Sequence, residues 1–306
     1  MLKPFLHILI LCCGVNWAYA KDSQDDLVWL DIMHQNIALS VNNSALWFDD
    51  FFALEHFSHN EKAKGEARIR LGWEPRSRDF REFETRFKLR LKLPNLKNRA
   101  DLVLSDYDDE QPDNRVRSSG NENFNEQNRF SLALRWKHNP QSGLSHRVGV
   151  GRRLQAFVKS RYRDSQSLSA KTTLRWQTSA YFYTSDGLGT DFSWQLDYNP
   201  AESSIFRFNN HFYYRDRSND WLWQHSWQKL TQIDEKNALI AGVYIEGLSQ
   251  PNYRLEEYLV SVRWRKNVLR DWLFYEVEPF ILWRRDEGFS GSYGIALRLE
   301  GFFSQS

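Results

Sequence analysis

Phe83–Leu93 reads FETRFKLRLKL, and its alternation decides the fold. Phe83, Thr85, Phe87, Leu89, Leu91 and Leu93 fall on one face of a strand, while Glu84, Arg86, Lys88, Arg90 and Lys92 fall on the other. One face requires apolar surroundings, and the other requires water and counter-charge. The pattern recurs along the chain behind an export signal. Together these features predict an all-β fold, an antiparallel transmembrane β-barrel with a polar, strongly basic interior.

The export signal occupies residues 1–20. Lys3 precedes an apolar run from Phe5 to Cys13, and Ala18-Tyr19-Ala20 stands before Lys21, the pattern of a cleaved secretory peptide. Leu11 before Cys12 is too large for a lipoprotein cleavage site, so both cysteines, Cys12 and Cys13, leave with the signal. The mature chain is then expected to have no thiol, disulfide or cysteine-based metal site.

Beyond the signal, no apolar run approaches the roughly 18 residues of a membrane helix. The mean hydropathy is negative. That is compatible with a barrel, because half of every strand is polar and the loops are hydrophilic. The net charge of +2 gives no whole-chain reason to expect nucleic acid. Aromatic residues are the departure: 13 Trp, 13 Tyr and 21 Phe cluster near the ends of alternating segments, where a barrel places its girdles.

Residues 21–60 do not alternate. Leu27, Leu30, Ile32, Met33, Ile37 and Val41 recur at helical spacing behind Asp25 and Asp26, which predicts a periplasmic or lumenal helical segment. Such a segment either plugs the pore or docks a periplasmic partner, or simply covers the base of the barrel. The period changes to two from Ala67, and the barrel is expected over residues 65–303. Ser105–Asn128 is polar and aperiodic, and is the longest loop. Leu144–Arg163 is either one long strand or two short ones hinged near Gly151–Leu154. Counting gives fourteen strands, or twelve if weak segments merge; either even number returns both termini to the periplasm.

The last segment, Tyr293, Ile295, Leu297, Leu299, Gly301 and Phe303, alternates and ends near an aromatic residue. It resembles the C-terminal signature that outer-membrane barrels of Gram-negative bacteria present to their assembly machinery. Ser304, Gln305 and Ser306 follow Phe303, whereas that signature usually ends on the aromatic itself. The resemblance is architectural and spans residues 67–303. It implies an outer-membrane location, contact with outer-membrane lipids and recognition of Phe303 by the assembly machinery.

With the apolar face outside, the interior gains Arg68, Arg70, Arg86, Lys88, Arg90, Lys92, Arg135, Lys159, Arg161 and Arg175 as a basic sector. Lys137, Arg147, Arg163, Lys171, Arg207, Arg263, Arg265 and Arg298 extend it. The opposing acids are Glu84, Asp101 and Asp197, with Glu276, Glu278 and Glu300 toward the C-terminus. Barrel closure should set Arg68 and Arg70 against Arg298 and Glu300. Rings of Arg and Lys raise the local concentration of anions, so an anionic solute or polymer is the expected partner. The alternative is a ladder of salt bridges filling a closed barrel.

Other chemistry is thin. A nucleophilic hydrolase needs Ser within reach of His; His225 and Ser226 are adjacent and point to opposite faces, leaving His211, Ser226 and Asp197 as the one available trio. His34, His56 and His59 are too scattered for a zinc site, and no cofactor motif is present. Glu276 and Glu278 share a face, where Arg263 and Arg265 are the expected answering charges. The sequence therefore points to a channel or transport-type barrel rather than an enzyme, with a non-conducting structural barrel as the alternative and a lipid hydrolase behind both.

Overall fold

The computed structural model describes residues 65–93, 99–105, 131–137, 143–151, 155–201, 203–234 and 236–304. The predicted signal peptide, the helical segment 21–60 and most of the Ser105–Asn128 loop lie outside these residues. Fourteen strands are described: β1 (Gly65–Trp73), β2 (Phe83–Leu93), β3 (Ala100–Ser105), β4 (Ser131–Lys137), β5 (Ser145–Val150), β6 (Ala156–Ser169), β7 (Thr172–Tyr183), β8 (Gly187–Ala201), β9 (Ser204–Arg215), β10 (Asp220–Asp234), β11 (Asn237–Leu248), β12 (Arg254–Asn267), β13 (Leu273–Arg284) and β14 (Ser292–Ser304). Each pairs antiparallel with its sequence neighbour, and β1 pairs with β14 to close the barrel. The count is fourteen rather than twelve because Leu144–Arg163 holds two strands, β5 ending at Val150 and β6 beginning at Ala156.

Phe83–Leu93 is a strand over its whole length, in register with β1 from Gly65↔Leu91 to Trp73↔Phe83. The even strand count puts the free ends of β1 and β14 on one rim, here the lower one. That rim also carries the tight turn at residues 170–171 and the one at 268–272. The upper rim carries residues 74–82, 184–186, 216–219, 249–253 and 285–291. The upper turn at 216–219 closes through a residue in the left-handed region: Asn219 has φ 47° after a 3-10 turn at Asp216–Ser218, a conformation its short polar side chain tolerates.

The outer surface follows from the two-residue period. Val148, Val158, Val243, Val260, Val262, Ile295, Leu297 and Leu299 lie exposed around the waist. Trp73, Phe83, Phe182, Trp221 and Tyr293 lie exposed toward the upper rim, and Trp136, Tyr162, Tyr198 and Phe206 toward the lower. Trp73 stacks on Phe83 at 6.3 Å and Tyr258 on Trp283 at 4.6 Å. An aliphatic waist between two aromatic girdles matches a hydrocarbon layer between two interfaces.

The opposite face of every strand points inward, and the ion pairs establish this. Arg298 on β14 reaches Glu84 on β2 across β1, and Arg265 on β12 reaches Glu300 on β14 across β13. Side chains span an intervening strand in this way only on the concave side of a barrel.

A charged barrel interior as the candidate functional site

The interior divides into three arcs. The first is centred on the closure between β14 and β1. Arg298 donates to Glu74 Oε1 at 2.8 Å and to Glu278 Oε2 at 2.6 Å, and lies 3.4 Å from both Glu84 and Glu276. Gly72 stands opposite Arg298, and a Cβ there would come within 3.1 Å of Glu84 Oε2 and 3.3 Å of Arg298 Cγ. The glycine in the β1 alternation therefore makes room for this charge cluster. Glu278 also accepts from Arg263 Nε at 3.0 Å and from Ser261 Oγ at 2.7 Å. Arg265 donates to Glu276 at 2.6 Å and lies 2.6 Å from Glu300, which also pairs with Arg68 and, at 3.3 Å, with Arg70.

The predicted closure contacts are met in a shifted form. Arg70 stands opposite Glu300, Gly72 opposite Arg298, and Arg68 opposite Phe302, so Arg68 reaches Glu300 diagonally. Just above these charges, Tyr244, Leu259, Phe280, Leu282 and Ala296 form a buried apolar cluster on the same inward face. Phe280 lies against Gly294, its ring 2.3 Å from where a Cβ would stand. Around Arg298 this arc is a packed wall, with guanidiniums and carboxylates neutralising one another out of water, while Arg68 and Arg265 at its lower side stay partly exposed.

The second arc runs from β2 to β6. Across the hydrogen-bonded ladder, Arg70 faces Arg86 and Arg68 faces Lys88. Arg135 faces Arg147, which in turn faces Lys159. Arg161 lies one inward position below Lys159, opposite Ser145. Like charges placed directly opposite oppose strand pairing, so this register acts against stability. The acids among the described residues are few. Asp101 accepts from Arg90 at 3.0 Å and from Arg135 at 2.7 Å, Glu66 pairs with Lys92 at 3.0 Å, Arg86 pairs with Glu84, and Asp191 lies 3.6 Å from Lys159.

The third arc, on β7–β10, is polar and largely uncharged at mid-height. Gln177 and Ser193 are opposite one another, as are Gln195 and Asn209, and Asn209 and Ser226. Charges return below it, where Asp197 accepts from Arg207 at 2.7 Å and from Gln195 at 2.8 Å, and pairs with Arg175.

The structure does not assemble the His211, Ser226 and Asp197 trio. Ser226 Oγ accepts from Asn209 at 3.1 Å and from Gln228 at 3.2 Å, His211 lies 3.4 Å from Gln224 Oε1, and Asp197 is held by guanidiniums. Glu276 and Glu278 meet Arg263, Arg265 and Arg298. Among the described residues no group of three or more His, Cys, Asp or Glu side chains converges as a metal site. Phe303 has the outward parity of β14, opposite Ala67, but its side chain is buried, 5.5 Å from the Trp272 ring.

Several buried acids escaped the sequence reading. Glu74 lies just beyond the alternating run of β1, so its inward position depends on how the chain continues after the strand. Asp191, Glu246 and Glu257 do occupy alternate positions within strands, and a stricter count of period two on β8, β11 and β12 would have placed them inside. They bring acid to the upper interior, beyond the C-terminal strands where acids were expected.

No protein-family model matches the chain, and no curated protein matches it in sequence. Solved structures of similar architecture include the outer membrane channel DcaP of Acinetobacter baumannii, at 6% identity and TM-score 0.44 over 80% of this chain and 96% of that one. OmpT, an outer membrane protein of Vibrio cholerae, is similar at 7% identity and TM-score 0.45 over 79% of this chain and 99% of that one. The KdgM porin solved in complex with disordered oligogalacturonate is similar at 8% identity and TM-score 0.37, over 77% and 98% of the two chains.

Proposed function

We propose that this chain is an outer-membrane channel whose lumen attracts anions. The observation that carries the reading is the ladder of like charges, Arg70 against Arg86, Arg68 against Lys88, and Arg135 against Arg147 against Lys159. Cations stacked at ladder spacing repel one another, and although Glu300, Glu84, Asp101 and Asp191 answer several of them, the stack carries more positive than negative charge among the described residues. A conduit gains a raised local anion concentration. Fourteen strands also exceed the eight whose side chains fill a barrel, and approach the sixteen to eighteen of water-filled porins.

The aliphatic waist and paired girdles support contact with outer-membrane lipids, and the position of Phe303 at the end of β14 supports its role in recognition by the assembly machinery. A non-conducting structural barrel is the second reading, favoured by the packed closure arc and the apolar cluster beside it. Planar bilayers separate the two. In a KCl gradient, the folded protein should conduct with a reversal potential toward that of chloride, and Lys88→Glu combined with Arg86→Glu should move it toward that of potassium. A folded barrel that inserts and stays silent, or that prefers potassium, overturns the channel reading.

A further inference from the structure

We infer that the solute carried by this lumen is an acidic carbohydrate, a hydroxyl-rich molecule bearing carboxylate or phosphate. The inference rests on the channel reading and deepens it. Its basis is the uncharged arc of β7–β10 and its place in the barrel.

Between Asp191 and Asp197 on β8, the inward positions are Ser193 and Gln195. Between Leu222 and Leu230 on β10 they are Gln224, Ser226 and Gln228. The neighbouring inward positions Gln177 on β7 and Asn209 on β9 are also neutral. Two rows join these residues across adjacent strands: Gln177, Ser193, His211 and Gln224 in one, and Gln195, Asn209 and Ser226 in the next, with Gln228 below them opposite Arg207. Gln177, Ser193, Gln195, Asn209 and Gln224 are only partly buried.

Amides and hydroxyls both donate and accept, whereas guanidinium and ammonium groups only donate. A grid of amides and hydroxyls is matched to a ligand that also does both at many points, which is what a sugar's hydroxyl groups do. It offers no comparable gain to chloride or to a simple dicarboxylate. In a closed barrel of fourteen strands, β9 is seven strands from β2 in either direction. The grid around Asn209 therefore faces the strand that carries Arg86, Lys88 and Arg90. A solute in the lumen meets cations on one flank and neutral hydrogen-bonding groups on the other, so a charged group and a row of hydroxyls are recognised together.

The test is current block in planar bilayers with four probes: glucuronate, glucose 6-phosphate, uncharged glucose and succinate. Both acidic sugars should block at least about tenfold more tightly than glucose or succinate, the difference of one or two net hydrogen bonds. If only one does, the charged group is thereby identified as carboxylate or phosphate. Ser193→Ala combined with Asn209→Ala should weaken block by the acidic sugars about tenfold and leave the chloride reversal potential unchanged. Lys88→Gln should reduce both. A heat-modifiable band on gels shows that each variant has folded.

Succinate blocking as well as glucuronate, or block unaltered in the Ser193/Asn209 variant, overturns the inference while leaving an anion channel intact. Loss of chloride preference in the wild-type protein overturns the channel reading instead. Should the barrel not conduct, calorimetric titration of the same probes into the detergent-solubilised protein gives the answer, and equal or absent binding of the four overturns the inference.

Discussion

On β12–β14 and β1, inward guanidiniums meet carboxylates, and the cluster around Arg298 is withdrawn from water: both Arg298 and Glu278 are 0% exposed. On β4–β6 the register instead sets Arg135 against Arg147 and Arg147 against Lys159. Both walls rest on the same alternation of apolar and charged residues. They differ in the sign of the partner across the ladder, and that decides what each can do. Opposite signs build a closed, dry wall whose carboxylates and guanidiniums are already engaged. Equal signs bring repulsion across the ladder: Arg135, Arg147 and Lys159 are buried as well, and Asp101 and Asp191 answer Arg135 and Lys159 from neighbouring positions. The salt-bridged arc lies where the first and last strands meet, and the like-charged arc lies away from that closure.

The comparison breaks most visibly at Glu278. Its removal as Glu278→Ala leaves Arg263 and Arg298 buried and short of a counter-charge, and should cost about 3–5 kcal/mol. Urea unfolding of the folded barrel in detergent measures this. A loss below about 1 kcal/mol would mean that water reaches the cluster, and the sealed closure arc would not exist.

A smaller effect is expected in the basic arc at Asp101. The Asp101→Ala change removes the acceptor shared by Arg90 and Arg135. Both guanidiniums lie nearer the lower mouth, and Arg90 is partly exposed, so solvent should replace part of the lost interaction. The expected cost is about 1–3 kcal/mol, read by the same unfolding experiment. Bilayer recordings should show stronger chloride preference, since one negative charge leaves a positive wall. A cost equal to that of Glu278→Ala would show that the two arcs are equally dry.

Much of this contrast was legible in the residues, because period two assigns a side chain to a face wherever a strand is clean. Phe83–Leu93 is the clearest instance: its limits, faces and basic interior all follow from reading alternate letters. The pairing of Glu276 and Glu278 with Arg263 and Arg265 followed from the same rule applied to adjacent strands. What alternation cannot supply is height around a tilted barrel. Arg68 meets Glu300 only diagonally, and Glu74 enters the Arg298 cluster from beyond the end of its strand.

Nor does alternation reveal apolar residues on the inside. Tyr181, Tyr213, Leu222 and Leu248 form a buried inward cluster. A reading that assigns every apolar face to lipid passes over them, because near the upper rim both faces of these strands carry apolar or aromatic residues. The uncharged grid of β7–β10 was missed for a related reason: Gln, Asn and Ser carry neither the charge nor the hydrophobicity by which faces are sorted.

The smallest effect sharpens the comparison at its wet extreme. Lys92 and Glu66 pair at 3.0 Å at the lower mouth, with side chains 36% and 45% exposed. An ion pair so open to water contributes about 0–1 kcal/mol, since solvent screens the attraction and two long side chains must be ordered to form it. Lys92→Ala should therefore leave the unfolding midpoint within about 1 kcal/mol of wild type, and raising salt to 1 M should change both proteins alike. The three costs, from Glu278 through Asp101 to Lys92, would then fall in the order of their exposure to water. That order is what a charged wall graded from sealed to open requires; a uniform salt-bridge ladder filling a closed barrel would give similar costs at all three positions.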